Sequence, residues 1–424
     1  MFEAIFVPAP FREALSDRSW LQAMLEAERA LAAAEARAGV IPEATAAAIA
    51  DACSADRFDP VRLADDGRAA GNPVEPLVRA LTEAVGGDAA GYVHWGATSQ
   101  DVLDTAAMLV SRRALDLLLE GTAELARECA RLADAHRATP MAGRTLLRQA
   151  VPTTFGLKAA GWLLGVVEGR RALARMRSER LAVQLGGAAG TLAPLGETGP
   201  EVVRLFAEEL GLAAPEAPWH TNRVRVAELG GALAVAAGTA AKIGLDVALL
   251  GQTEVAEIVE SDGGASSTMP QKRNPVGSAV AIACARQVQA QASVLLAALP
   301  QEHERALGGW HSEWPALFGA LAYAGGAVEG ARRALDGLEI DAGRMRANLD
   351  EAGGLVMAER AAFVLAQDVG RREAYERVSE AAATGRPLAE ELGIDQRDLD
   401  PTAYLGSADA FVDAAIAAYR SELG

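Results

Sequence analysis

The sequence predicts an all-α fold of three helical domains with a long central helical bundle. Two observations carry that prediction. Apolar residues recur at helical spacing over runs much longer than an average helix, while strand-like alternation is short and scattered. Several of these runs are apolar on most faces, so they must be buried on most faces, as the inner helices of a bundle are. The expected divisions are residues 1–100 as an N-terminal helical domain, 101–345 as the central bundle and 346–424 as a C-terminal helical domain.

Each element follows from its residues. In 18–38, Leu21, Met24, Leu25, Leu31 and Ala32 share one helix face, a stripe that Glu28 interrupts. Residues 101–137 contain no proline and carry Val102, Leu103, Leu109, Val110, Leu117, Leu118, Leu125 and Leu132. As one helix they span roughly 55 Å, at about 1.5 Å per residue. Thr98 and Asp101 stand ahead of this run at capping-box spacing, so Asp101 is either a helix cap or a ligand-binding residue. Residues 153–184 form another long candidate, broken by the Gly- and Pro-rich stretch 186–200. Residues 222–260 are helical with few charges in their first half, and 275–299 are rich in Ala, Val and Leu. Their apolarity exceeds the inner stripe of one bundle, which predicts packing between subunits. Shorter helices at 357–368, 371–384 and 408–422, with Gly385, Pro387 and Pro401 between them, make the C-terminal domain.

Composition sets limits on partners. Forty basic against 57 acidic residues give a net charge of −17. That balance argues against nucleic acid and anionic membrane surfaces, yet leaves room for a small anionic substrate in a local basic pocket. Cys53, Cys129 and Cys284 are few and widely spaced, which fits neither a disulfide framework nor a metal cluster and suits a reducing compartment. The longest uncharged run, Leu181 to Gly196, is 16 residues with four glycines and a proline. A membrane span needs about 20 apolar residues. With no basic leader after Glu3, the expectation is a soluble cytoplasmic protein. Lysine (Lys158, Lys242, Lys272) and asparagine (Asn72, Asn222, Asn274, Asn348) are scarce beside 37 arginines, which draws attention to each of them.

The segment richest in chemistry runs from Gly263-Gly264-Ala265-Ser266-Ser267-Thr268-Met269-Pro270 to Gln271-Lys272-Arg273-Asn274-Pro275. It is a polar, glycine-led loop of about a dozen residues between two long helices, a length common among lids and binding loops. Asn274 suits an N-cap and Pro275 the first helical position. Capping leaves the paired serines and Lys272 unexplained. A helix N-terminus beside Lys272 and Arg273 is an anion site.

This loop resembles the signature of the fumarase/aspartase superfamily, Gly-x-Ser-Ser-x-Met-Pro-x-Lys-x-Asn, at every fixed position. His94-Trp95-Gly96-Ala97-Thr98-Ser99-Gln100-Asp101 is similar to the first active-site block of that family, and Gly143 to Thr154 to its second. Pro152 to Trp162, Pro218-Trp219-His220-Thr221 and Arg305 to Trp314 resemble its cycloisomerase branch, which acts on 3-carboxy-cis,cis-muconate. The resemblance implies a homotetramer whose central helices pack together, with each active site shared by three subunits. It implies no metal or organic cofactor. The chemistry implied is proton transfer α to a carboxylate with loss or addition of a β group, through an intermediate of doubled negative charge that needs fixed donors.

By motif position Ser266 is the general base, Ser267 a positioning donor, and Lys272 and Asn274 the groups that stabilise the intermediate, with His94 beside them in the first block. Thr98, Ser99, Gln100, Arg144, Thr145, Gln149, Met269, Arg305 and His311 are the expected substrate-binding residues, Arg148 lying close by. A tricarboxylate substrate calls for several such cations. Two positions depart from the pattern. Leu146 stands where many amine- and water-eliminating relatives have a general-acid histidine. A carboxylate, with an unperturbed pKa near 4, leaves without that acid, which favours lactone chemistry. Nitrite is another good leaving group, so a nitrosuccinate lyase is the alternative, with adenylosuccinate lyase well behind and a silent structural protein as a third class. The second departure is Val224, between Arg223 and Arg225, where relatives often have an acid.

Overall fold

In the computed structural model, which describes all residues except Met1, Asp262, Gly263, Ser266 and Ser267, long α-helices dominate, and the all-α class expected from periodicity is the one observed. The chain divides into two units, each built from three separate stretches. The first comprises Met1–Glu120, Arg171–Ala237 and Cys284–Gly326, and the second Gly121–Arg170, Gly238–Ala283 and Ala327–Gly424.

In the first unit the Asp17–Arg37 helix starts at Ser16, whose side chain accepts from the Ser19 amide at 3.2 Å. Asp17 in its first turn and Arg37 in its last complement the helix dipole. Leu21, Leu25 and Leu31 are buried along it, and it packs on the helices Glu43–Ala52 and Gly199–Leu210. The Ser99–Ala135 helix, 37 residues long, begins in this unit. The Asp101 carboxylate accepts from the Thr98 amide at 3.0 Å, so of the two roles left open for it the helix cap is present.

In the second unit the main departure from expectation is a β-hairpin, Pro140–Thr145 with Arg148–Thr154. Thr153 and Thr154 pair with Met141 and Pro140, so the following helix starts only at Phe155 and ends at Arg175, shorter than the expected 153–184. A bulge falls at Gly143, where a Cβ would lie 2.7 Å from the Val151 carbonyl oxygen. The two-residue tip is Leu146-Leu147, both at positive φ (50° and 63°) and 98% and 80% exposed. The helix expected over 222–260 is Val224–Leu250. Gly251 closes it, and Ile258-Val259, β-branched and poor at prolonging a helix, pair instead with Glu339-Ile340. The Gly309–Leu335 helix, which contains Pro315, was not among the expected elements. Leu349, Val356, Met357, Ala361 and Val378 form a small core with Ala142 in the C-terminal part of this unit.

Two helices, Val224–Leu250 and Val276–Ala297, are long and apolar enough by length and composition to cross a membrane. Only half and a third, respectively, of their most apolar stretch is buried within the chain. The first carries Arg225, Glu228, Lys242 and Asp246.

Candidate active site

The first block lies in the first unit, around the start of the Ser99–Ala135 helix. Asp101, 1% exposed, is fully engaged. One carboxylate oxygen accepts from the Gly186 amide at 2.9 Å and lies 2.6 Å from His220 Nε2, while the other accepts from the Thr98 and Gly187 amides. Asp101 therefore caps the helix and anchors the Gly-rich stretch at once. Gln100 is equally occupied. Its amide donates to the His220 carbonyl at 2.8 Å and to Asp104, and its Oε1 accepts from Arg305 Nε at 3.2 Å. Arg305 also donates to the Ala188 and Gly187 carbonyls. The expected Gln100 and Arg305 are thus brought together with the 186–188 backbone. Thr98 and Ser99 are half-buried at the helix start, and their hydroxyls have no protein partner among the described residues.

His94, half-buried, adopts a φ of 60°. A non-glycine residue there costs on the order of 1–3 kcal/mol, and such strain gathers at functional sites. Its Nδ1 lies 2.6 Å from Oε1 of the buried Glu28. Burial opposes the charged ring, but the Glu28 carboxylate, its hydrogen bond and the nearby Asp101 outweigh burial and raise the His94 pKa above its ordinary value. His311 is exposed, with its ring edge-on to Trp310 and tilted against Trp314. Arg223, 2% exposed, is held by Asp104 and Glu313 through bonds of 2.5–3.0 Å and lies under Trp219. Arg225 donates to the Arg180 carbonyl and also meets Trp219. Both arginines are oriented without an acid at position 224.

The second block is the hairpin of the second unit. Arg144 donates to both oxygens of Glu257, at 3.0 and 2.6 Å, and to the Ala142 carbonyl. Glu257 is fully buried and accepts also from Asn348 at 2.8 Å, and Gln149 donates to the Asn348 carbonyl. Arg144 and Gln149, expected to bind substrate, are thus joined in one network, while Thr145 is exposed beside the tip. Arg148 and Gln149 line a recess of about 380 Å³ with Leu147, Ala352, Leu355 and Val356. A larger cavity of about 960 Å³, between the Ala358–Val369 and Arg371–Ala383 helices, contains none of the expected residues. Lys158 is depressed in pKa by burial and by the nearby Lys242 and Arg144, against the opposing pull of Asp246 and Glu257.

In the signature loop Ser266 and Ser267 lie outside the described residues. The loop is pinched at its base, where Gly264 and Ala265 pair with Asn274 and Arg273. Asn274 donates to the Gly264 carbonyl at 3.3 Å and does not cap the next helix. Glu260 does, accepting from the Gly277 and Ser278 amides at 3.1 Å each and from the Ser278 hydroxyl. The anion expected at this helix start is therefore a side chain of the chain itself. Met269 and Lys272 are exposed, with the Lys272 amide donating to the Met269 carbonyl in a tight turn. The Lys272 ammonium has no protein partner among the described residues. No set of three His, Cys, Asp or Glu residues able to hold a metal occurs among the described residues.

Sequence reasoning did not assign roles to Glu28, Glu257, Glu260 or Asn348. Two of them left a signal: Glu28 broke an apolar stripe, and Asn348 is one of only four asparagines.

Comparison with known proteins covers the whole chain. A family model described as "Lyase" matches residues 7–290. The chain is 46% identical, over 443 residues, to a 3-carboxy-cis,cis-muconate cycloisomerase of Pseudomonas aeruginosa, covering 99% of this chain and 96% of that protein. It is also 46% identical over 437 residues to a nitrosuccinate lyase of Streptomyces davaonensis, covering 96% and 92%. The crystal structure of a 3-carboxy-cis,cis-muconate lactonizing enzyme from Pseudomonas putida superimposes with a TM-score of 0.93 at 42% identity, covering 100% of both chains.

Proposed function

Because the chain belongs to the lyase family, within the fumarase/aspartase superfamily, we propose that it interconverts 3-carboxy-cis,cis-muconate and 4-carboxymuconolactone. The observation that carries the reading is Leu146 at the hairpin tip, in a chain whose full-length relatives include several cycloisomerases. The second block offers no acid at that position, and a carboxylate needs none to leave. In the lactone-opening direction, Ser266 as alkoxide removes the proton α to a carboxylate. The lactone C–O bond breaks and its electrons stay on the departing carboxylate. Lactone closure is the reverse, and Ser266 then delivers the proton. Such an alkoxide needs a closed, dry site with fixed donors. Lys272, whose ammonium has no protein partner among the described residues, supplies charge for the doubled carboxylate, and Ser267, Asn274 and Met269 shape the loop around it. Thr98, Ser99, Arg144, Thr145, Gln149, Arg305 and His311 complete the binding set for a tricarboxylate. No metal or organic cofactor takes part.

The working form is a soluble, cytoplasmic homotetramer with each site shared by three subunits. Its support is the apolar surface left uncovered on Val224–Leu250 and Val276–Ala297, together with the bare leucines of the hairpin tip. The three-domain division at 100 and 345 belongs to the same reading.

The nitrosuccinate lyase alternative has its own observation, the equal identity to such an enzyme. Nitrite, like a carboxylate, leaves without a general acid. Loss of diene absorbance on incubation with 3-carboxymuconate is the expected result. No turnover there, with fumarate formed from nitrosuccinate, reverses the order of the two. Ser266→Ala is expected to lower kcat by roughly 100-fold or more with an unchanged circular dichroism spectrum and mass in solution. Retained turnover removes Ser266 as the base.

A further inference from the structure

Glu28 has no part in the chemistry above, yet its placement is unusual. It is 1% exposed in the middle of the Asp17–Arg37 helix, where periodicity calls for an apolar residue. A carboxylate persists there only if it is paired, and its partner is Nδ1 of His94 at 2.6 Å. With Nδ1 turned to Glu28, Nε2 has no protein partner among the described residues, and the side chain is 16% exposed. The charged groups acting on the ring are Glu28, from Asp17–Arg37, and Asp101, from Ser99–Ala135. Beyond Glu28 stand the Glu35 carboxyl and the Cys53 thiol, both within reach of its charge. Burial, then the charge of Glu28, pushes Glu35 up to about 9. Glu35 is therefore neutral at pH 7 and adds no charge beside Glu28. Asp101 is already saturated by three amides and His220.

We propose that Glu28 is a positioning residue, holding the His94 imidazolium so that its free Nε2–H is a charged donor to a carboxylate of the substrate. The ring's strained backbone and its buried anchor then serve one end, a cation fixed in orientation before substrate arrives. The inference rests on the proposed function for the placing of the substrate beside the first block and for the identity of that substrate.

The wild type is assayed on 3-carboxymuconate and on nitrosuccinate, and whichever it turns over is used for the variants. Failure of the cycloisomerase reading is thus seen in the wild type, and failure of the present inference in the variants. Glu28→Gln is expected to lower kcat/KM roughly 10- to 100-fold, mostly through KM. It also moves the alkaline limb of the kcat/KM profile to lower pH, because the anion that holds the proton on His94 is gone. Glu28→Asp, which keeps the charge on a shorter arm, recovers part of both effects. A merely structural Glu28 lowers activity equally at every pH. ¹⁵N-histidine spectra, with the His94 signal assigned by its loss in His94→Asn, follow the same titration without any substrate. A folded Glu28→Gln whose His94 titrates as in the wild type overturns the proposal. If Glu28→Gln does not fold, His94→Asn decides, since an alkaline limb that persists without the ring overturns it equally.

Discussion

Glu35 is the residue whose burial has the clearest thermodynamic consequence. One of its oxygens is buried without a partner among the described residues, and its carboxyl is held up to about 9 from an ordinary 4.5 by burial and by Glu28. A carboxyl with a raised native pKa binds a proton that the unfolded chain releases. Its contribution to stability is therefore neutral below about pH 4.5 and becomes increasingly unfavourable up to about pH 9. Glu35→Gln removes that liability. The variant is expected to gain on the order of 3 kcal/mol at pH 7, shrinking toward zero near pH 4.5, as read from denaturant unfolding at several pH values. At this scale the sequence was informative for residues named by a motif and blind to their supports. Arg144 was legible in its block, whereas Glu257 and Asn348 lie 113 and 204 positions further along and meet it only through folding. Arg223, beside the departure at Val224, is likewise oriented by acids far away in sequence, Asp104 and Glu313.

Among elements, long helices were legible because a 3.6-residue period repeated over many turns leaves a strong imprint. The hairpin was not. Its strands are six and seven residues, one bulged, and its turn is Leu-Leu where two-residue hairpin turns favour Asn-Gly. Two leucines in the left-handed region cost roughly 1–2 kcal/mol each. Replacing Leu146-Leu147 with Asn-Gly is expected to raise local hairpin stability by about 1 kcal/mol, measured as added hydrogen-exchange protection of the paired amides. The same change is expected to weaken the association of subunits, because it removes the apolar tip. Unaltered dissociation in dilution experiments counts against a role for the tip in assembly. The signature loop shows the opposite limit. Its motif was legible to the residue, but Asn274 proved to close the loop base while the distant Glu260 supplied the cap. Local capping rules cannot see a carboxylate fourteen positions upstream.

For the whole molecule, the apolar excess on two helices predicts subunit packing, and within one chain half and a third of their most apolar stretches are buried. Light scattering on the purified protein is expected to give about 176 kDa, four chains of 44.0 kDa. A monomeric mass removes the shared-site reading. Neither compact unit is a continuous stretch of sequence, so segments far apart in the chain are brought together within each. All three cysteines are buried and free, with burial pushing the thiols of Cys53 and Cys284 up to about 12 and raising that of Cys129 as well. The native surface therefore presents no cysteine thiol to maleimides. A single thiol introduced anywhere on it carries a spin or fluorescent label without a background to subtract.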